Sequence, residues 1–265
     1  MSQSRSLRGR VAGQSAMSAV VLAQAGGDRR TVIQRLFGAS PLTATSKFSY
    51  RAALGELLVG DMLENLGPSW DVLHGIPLGD ALLDHLVIGP AGVFAVRAIN
   101  CTDQEVLVEG DLLVVAGEAR NDIPCSIADA ASVGDLLSDA AGVPVPVQAL
   151  LVVVDAARLT VRRPPNGLQL VASRDVHRML TRASLTLTGD EVARVSDLAD
   201  LEGTWPRRSA DELDTQRLSR DFTIIRAQVR AALGRRITWA AAGIGLLYGL
   251  VWGVIAALVE TIVRP

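Results

Sequence analysis

A long uncharged apolar run lies near the C-terminus of this chain. Residues 237–259, ITWAAAGIGLLYGLVWGVIAALV, contain no Asp, Glu, Lys or Arg. As an α-helix they would rise roughly 35 Å, which exceeds the ~30 Å hydrocarbon core of a bilayer. A buried helix of a globular protein seldom runs this far without one solvated face. The sequence therefore predicts a single transmembrane helix over residues 237–259.

The charges beside this run predict its orientation. The charged residues that follow the run are Glu260 and Arg264, whereas several arginines precede it: Arg226, Arg230, Arg235 and Arg236. Positive charge is retained on the cytoplasmic side of a membrane. We therefore expect the large N-terminal part of the chain to be cytoplasmic.

An N-terminal signal peptide is the competing topology. Residues 5–25 imitate one, with arginines, an apolar stretch and a small-residue cleavage site. The apolar stretch is short and is interrupted by Gln14, Ser15 and Ser18. Cleavage would also place the arginines before the C-terminal helix on the wrong side, so a basic cytoplasmic arm over residues 1–46 is favoured, with one short helix at 31–38.

The overall charge and the cysteines exclude two classes of protein. The net charge is -2, so no global basic field points to nucleic acid. Cys101 and Cys125 have no partners at metal-ligand spacing, which predicts two reduced thiols rather than a zinc site.

The central part of the chain alternates between helical and strand patterns, which predicts an α/β domain over residues 47–205. A helix ends at Gly67-Pro68, and a capping box, Thr188 with Glu191, begins the last one. Helices are expected over 49–67, 124–142, 173–180 and 188–201, and strands over 70–76, 81–88, 93–100, 105–115 (a hairpin), 147–155 and 167–172.

Residues 206–236 predict an amphipathic juxtamembrane helix. Its apolar residues fall on one stripe: Leu218, Phe222, Ile225, Val229 and Leu233. Such a helix could dock on the domain, lie on the lipid surface, or pair with its own copy. The sequence leaves these alternatives open.

One charged residue interrupts an otherwise apolar strand. Arg97 shares a strand face with Val93, Ala95 and Ile99. Because a buried guanidinium without a partner is very costly, Arg97 must face a polar cleft or pair with an acid.

Two strings of residues place this strand in a known context. Gly55-Glu56 on the first helix, and DHLVIGPAGVF at residues 84–94, resemble the nuclease-related domain (NERD) family of the PD-(D/E)XK superfamily. The resemblance covers roughly residues 47–205, including the VVVD strand. It implies a restriction-endonuclease-like mixed sheet flanked by helices, and Mg²⁺-dependent phosphodiester hydrolysis.

The resemblance also implies a set of site residues, and the sequence departs from it. Glu56 matches the first-helix glutamate and Asp84 the first metal-binding aspartate. The second carboxylate and the lysine fall on Arg97 and Ile99. The chain's only lysine is Lys47, and the glutamine expected at residues 124–131 is missing. These departures indicate a catalytically degenerate site, with Arg97 ion-paired to Asp84 and Glu56 as a second acid.

The leading functional hypothesis is a membrane-anchored cytoplasmic binding or scaffold module that uses no cofactor. The alternative is an active nuclease with a rearranged site, in which Glu56 and Asp84 bind Mg²⁺ and Asp103 or Glu105 supplies the lost carboxylate. A third hypothesis makes the domain a folded spacer. Nucleic-acid binding is possible in principle, but no residue pattern supports it.

Glycines in the apolar run predict a partner within the membrane. Gly245, Gly249 and Gly253 recur every four residues and so lie along one side of a helix. Small residues at this spacing let two helices approach closely in lipid. We therefore expect self-association or packing against a partner protein.

Overall fold

The computed structural model describes residues 6–25, 30–79, 81–206 and 215–263. Within these ranges the chain forms seven α-helices and nine β-strands, with short 3₁₀ turns at Leu7–Gly9, Ser173–Asp175 and Glu202–Thr204. The helices are α1 (Gln14–Ala25), α2 (Val32–Leu36), α3 (Ala44–Glu64), α4 (Asp122–Ala141), α5 (Val176–Arg182), α6 (Gly189–Asp200) and α7 (Thr215–Val263). The strands are β1 (Asp71–Leu78), β2 (Ala81–Gly89), β3 (Gly92–Asn100), β4 (Glu105–Glu109), β5 (Leu112–Val115), β6 (Glu118–Arg120), β7 (Val147–Val154), β8 (Arg158–Arg163) and β9 (Leu168–Ala172).

The strands form two mixed sheets. The larger has the order β1-β2-β3-β7-β9, with antiparallel pairing as far as β3 and parallel pairing from β3 onward. The smaller has the order β6-β5-β4-β8, in which β4 and β8 are parallel. The predicted α/β class, with a mixed sheet flanked by helices, is confirmed.

Two apolar cores lie on opposite faces of the larger sheet. β3 and β7 are almost continuously apolar because both of their faces are covered. One core joins the sheet to α4, α6 and the smaller sheet, and the other joins it to α3 and α5. Alternate residues of β3 therefore face α4 and α3.

Several predicted elements have different limits in the structure. Thr43 caps α3, whose first residue is Ala44 rather than Ser49, by accepting a hydrogen bond from the Ser46 N–H. The helix predicted over residues 173–180 is a 3₁₀ turn followed by α5. The strands β6 and β8 were not predicted, because β6 is short and β8 is mostly exposed and polar.

The N-terminal region is a packed part of the fold rather than an arm. Met17 and Val20 of α1 are fully buried against α3 and α7, together with Tyr50 and Ala53. The apolar stretch looked too short and too often interrupted in the sequence. It nevertheless forms a helix, which the burial of Met17 and Val20 against two other helices stabilises.

The last helix joins the domain to the predicted membrane span without a break. Leu218 and Phe222 of α7 are buried against α1 and α3, with Ile225 and Val229 partly buried beside them. This segment therefore docks on the domain, whereas Leu233, predicted to be on the same stripe, is exposed. Further along, α7 is exposed, and it is long and apolar enough to cross a membrane.

Candidate functional site

The three polar residues singled out in the sequence lie in one cleft. Glu56 on α3, Asp84 on β2 and Arg97 on β3 line a cavity of about 270 Å³. The start of α1 forms part of its wall through residues 13–16. The cleft therefore contains two acids and one base, and it borders the N-terminal region of the chain.

Asp84 lies where the pairing of β2 with β3 ends. The register extends to His85 opposite Val96, and beyond it the Asp84 Oδ2 accepts a hydrogen bond from the Ala98 N–H at 2.7 Å. Burial raises the pKa of Asp84 to about 6, although this hydrogen bond and the charge of Arg97 oppose the rise. The carboxylate thus takes the place of a strand backbone as partner of β3.

Glu56 reaches the cleft because α3 approaches β3 closely at the preceding residue. A Cβ atom on Gly55 would lie 3.1 Å from the Asn100 Cβ, so a small residue is needed there. Burial and the nearby charge of Asp84 raise the pKa of Glu56 well above its usual range, and Arg97 partly offsets this. The two acids therefore disfavour each other's ionised form.

Arg97 forms its ion pair with an acid that the sequence analysis did not consider. Its Nε donates to the Asp129 Oδ2 at 3.1 Å, and its Nη2 donates to the same oxygen. Asp84 and Asp129 together raise the pKa of Arg97, outweighing the effect of burial. The predicted ion pair with Asp84 is therefore wrong in its partner, although Asp84 is near enough to interact by charge.

The partner follows from the face of β3 on which Arg97 lies. Val93, Ala95 and Ile99 of this face pack in the core that contains α4. Asp129 lies on α4, one helical turn from buried Ser126 and Val133, so it is an acid on the inward side of an amphipathic helix. An acid on the inward side of an amphipathic helix is the sequence signal that could have marked Asp129 as a candidate. It falls within the same segment, residues 124–131, that lacks the expected glutamine.

The remaining candidates lie elsewhere. Ile99 is buried in the core next to α4 and not in the cleft. Asp103 is in a turn with a positive φ, and Glu105 begins β4, with Arg158 at 3.9 Å. Among the residues that the structure describes, no group of three or more His, Cys, Asp or Glu side chains could hold a metal ion.

A buried histidine pair lies behind the acid on β2. The Nδ1 atoms of His74 and His85 are 2.9 Å apart, and the His74 Nε2 is 2.9 Å from the Glu64 Oε1. Burial, aided by the neighbouring ring, lowers the pKa of His85 to about 3. His85 is thus neutral and has a structural role in a buried strand.

Residues 51–154 match the family model of the nuclease-related domain, NERD. The chain carries a NERD domain. The match runs from α3 to β7, and so includes Glu56, Asp84, Arg97 and Asp129. No curated protein and no solved structure matches the chain. The NERD domain is therefore identified, while α1, α2 and α7 lie outside the matched residues.

Proposed function

We propose that this chain is a membrane-anchored binding or scaffold module, built on a NERD domain that does not hydrolyse phosphodiesters. The observation that carries the proposal is the fixed position of Arg97. Asp129 holds its guanidinium in the cleft that also contains Glu56 and Asp84. A cation in this position supplies the positive charge that Mg²⁺ would supply, and it repels Mg²⁺.

The surrounding residues support the same conclusion. One Asp84 oxygen already accepts the Ala98 N–H, and Ile99 has no amine that could orient water. Metal-assisted hydrolysis needs carboxylates to hold the ion and an activated water beside it. As it stands, the cleft does not fit a Mg²⁺ ion.

The charge of the cleft also disfavours a nucleic-acid ligand. Among the residues that line the cleft, Glu56 and Asp84 are acids and Arg97 is the one cation, whereas nucleic-acid affinity depends on several cationic side chains beside the phosphates. Residues 14–16 of α1 also line the cleft. A protein partner bound on the outer surface of the domain fits these features better than a nucleic acid in the cleft.

A cleavage assay tests the proposal. The full chain in detergent micelles, given Mg²⁺ or Mn²⁺, should leave single- and double-stranded DNA and RNA intact. Arg97→Glu should gain Mn²⁺ binding in a calorimetric titration, and Arg97→Gln, which removes the cation without adding an acid, is its control. Restoring a lysine at residue 99 would place an amine in the core, since Ile99 is buried there. Cleavage by the native chain would instead support the alternative, an active Mg²⁺-dependent nuclease.

The proposed orientation has a separate test. The arginines before the apolar run favour a cytoplasmic domain, and Cys125 is an exposed thiol on that domain, whereas Cys101 is buried. In right-side-out membrane vesicles, a membrane-impermeant maleimide should leave Cys125 unlabelled until detergent is added. Immediate labelling would place the domain outside.

A further inference from the structure

The short helix α2 presents an apolar surface that is largely uncovered in the part of the chain that the structure describes. Val32 and Ile33 are 81% and 68% exposed, and Leu36 and Phe37 are each 53% exposed. Isolated exposed apolar residues are common, but four within six residues form a continuous patch. A patch of this kind is expected to be covered by another molecule or by a membrane.

Contacts with α7 place this patch at one end of the predicted membrane span. The Trp239 Nε1 donates to the Leu36 carbonyl at 2.9 Å, and the Phe37 and Trp239 rings are 5.0 Å apart. From Trp239 to residue 259 a helix rises roughly 30 Å, the thickness of the hydrocarbon core. Tryptophan is also enriched at the boundary between lipid and water. The patch therefore lies at the depth of the lipid headgroups.

The backbone of α2 suits that environment. Thr31 and Gln34 form a complete capping box at its N-terminus. At its C-terminus, the Arg235 Nη1 donates to the Arg35 carbonyl at 2.7 Å, and Trp239 takes the next carbonyl. Unsatisfied backbone groups are very costly near hydrocarbon. The Trp239 side chain thus satisfies the Leu36 carbonyl, whereas the Arg35 carbonyl also accepts the Gly38 N–H at 3.3 Å.

The charges around α2 indicate an anionic neighbour. Partial burial lowers the pKa of Arg30, and the nearby positive charges of Arg35 and Arg235 lower it further. In the part of the chain that the structure describes, no acidic side chain forms an ion pair with Arg30, Arg35, Arg235 or Arg236. Phosphate groups of lipids would neutralise such a cluster.

We propose that α2 is a second membrane contact, whose apolar residues insert at the boundary between headgroups and acyl chains while the neighbouring arginines bind lipid phosphates. The proposal rests on α7 crossing the membrane. It adds a lateral anchor, so the domain is held at two points instead of one. An amphipathic segment with arginines beside its apolar residues has the composition of such an interfacial contact.

Fluorescence quenching in lipid nanodiscs tests this proposal, since both faces of a disc are open to water. The full chain carries Cys125→Ser and a single environment-sensitive dye, attached in turn at Ile33→Cys, Val251→Cys or Leu185→Cys. Val251 reports on the span itself. Leu185 is as exposed as Ile33 but lies in a loop that contacts the β2–β3 turn through Thr186. The discs contain phosphatidylcholine and phosphatidylserine.

We expect the dye at residue 33 to emit at shorter wavelength, to be quenched by spin-labelled acyl chains and to resist iodide, unlike the dye at 185. If iodide quenched the dye at residue 33 as strongly as the dye at residue 185, while spin-labelled lipid still quenched the dye at residue 251, the membrane contact of α2 would be overturned and the span would stand. Resistance at 33 to both quenchers would mean that a protein covers the patch, and would also overturn it. Loss of lipid quenching at 251 would remove the span and this proposal together.

A variant of the contact between α2 and α7 provides a second test. A Cβ atom on Gly38, whose φ is +73°, would lie 2.4 Å from the Ala232 carbonyl oxygen, so Gly38→Ala should displace α2. We expect weaker lipid quenching at residue 33 and no change at 251. Gly234→Ala is the matched control, because its Cβ would meet no atom within 4 Å. Unchanged quenching at 33 in Gly38→Ala would contradict the proposed arrangement.

Discussion

The cleft of this NERD domain is organised around one guanidinium. Arg97 interacts with Asp129 by hydrogen bonds and with Asp84 and Glu56 by charge, so it offsets the repulsion among three acids. Removing one member of a buried charge cluster leaves the others uncompensated, which costs more than the pair contributes. The stability of the domain should therefore depend more on Arg97 than on any one of the acids.

Arg97→Ala should lower the free energy of unfolding of the domain by about 3 kcal/mol, near the lower limit for buried pairs because Arg97 is partly exposed. Guanidinium denaturation of the full chain in micelles, followed by tryptophan fluorescence, measures it. Arg158→Ala, an exposed arginine near Glu105, should change stability by less than about 0.5 kcal/mol. An equally small effect at Arg97 would show that the cleft does not need its cation.

Asp84 should make stability depend on pH. Its pKa is near 6 in the folded domain and about 3.8 when unfolded, so the folded state binds the extra proton between these values. Stability therefore falls as pH rises from about 4 to 6, and the loss persists above 6. Asp84→Asn removes this loss, so relative to the native chain it should gain up to about 3 kcal/mol between pH 4 and 7.

The same denaturation experiment, repeated across this pH range, checks the prediction. Asp111→Asn, at the exposed β4–β5 turn, is the matched control and should keep the native profile. Parallel pH profiles for Asp84→Asn and the native chain would show that Asp84 titrates normally.

Most residues of this site could be predicted from the sequence, but the acid that pairs with Arg97 could not. Glu56, Asp84 and Arg97 could be brought together because a family resemblance places them on one helix and two adjacent strands, and the structure does bring them together. Asp129 could not be identified, because which acid pairs with Arg97 depends on how α4 crosses the sheet. That crossing is set by packing over long sequence separations, which local patterns do not encode.

Whether a helix or strand could be predicted from the sequence depends on how fully it is buried. Strands such as β7 were predicted because a continuous β-branched run has few alternatives, whereas β8 carries several arginines and gains its strand conformation from pairing with β4. The helix α1 was missed for a similar reason. Its apolar residues are interrupted by Ser15 and Ser18, and only the docking of α1 on α3 and α7 shows that they are buried.

The apolar part of α7 should associate with another helix through its glycines. Gly245, Gly249 and Gly253 have open space around them, since a Cβ at each would meet no atom within 4 Å. Gly249→Ile should weaken the signal of a membrane-dimerisation reporter while leaving insertion unchanged, because a large side chain keeps the two backbones apart.

Ala240→Ile, a similar enlargement on the opposite side of the helix, should leave the reporter signal unchanged. Absence of a signal from the native segment would make α7 a plain anchor.

For the whole molecule, the important contact is the docking of α7 on the domain. Phe222 packs against Tyr50 with ring centroids 5.6 Å apart, in a cluster that also includes Met17. Phe222→Ala should lower the free energy of unfolding by about 3 kcal/mol, because it removes a buried aromatic ring from a site that three helices share. Chemical denaturation in micelles measures this.

Ile224→Ala, two residues away and largely exposed, should shift the midpoint little. If both variants unfolded alike, α7 would not be docked, and the domain would move freely on its anchor.

Because α7 is uninterrupted, it also fixes how the domain is rotated about the helix axis relative to the apolar end of the helix. The helix turns by about 100° per residue, so the number of residues between Phe222 and Gly245 determines which side of the domain lies above the glycines. Two copies joined through those glycines would present the same faces of their domains to each other in every molecule. Inserting one residue would rotate each domain by about 100°, whereas inserting seven would nearly restore the original angle. The length of α7 thus sets the geometry of any pair as well as the distance from the membrane.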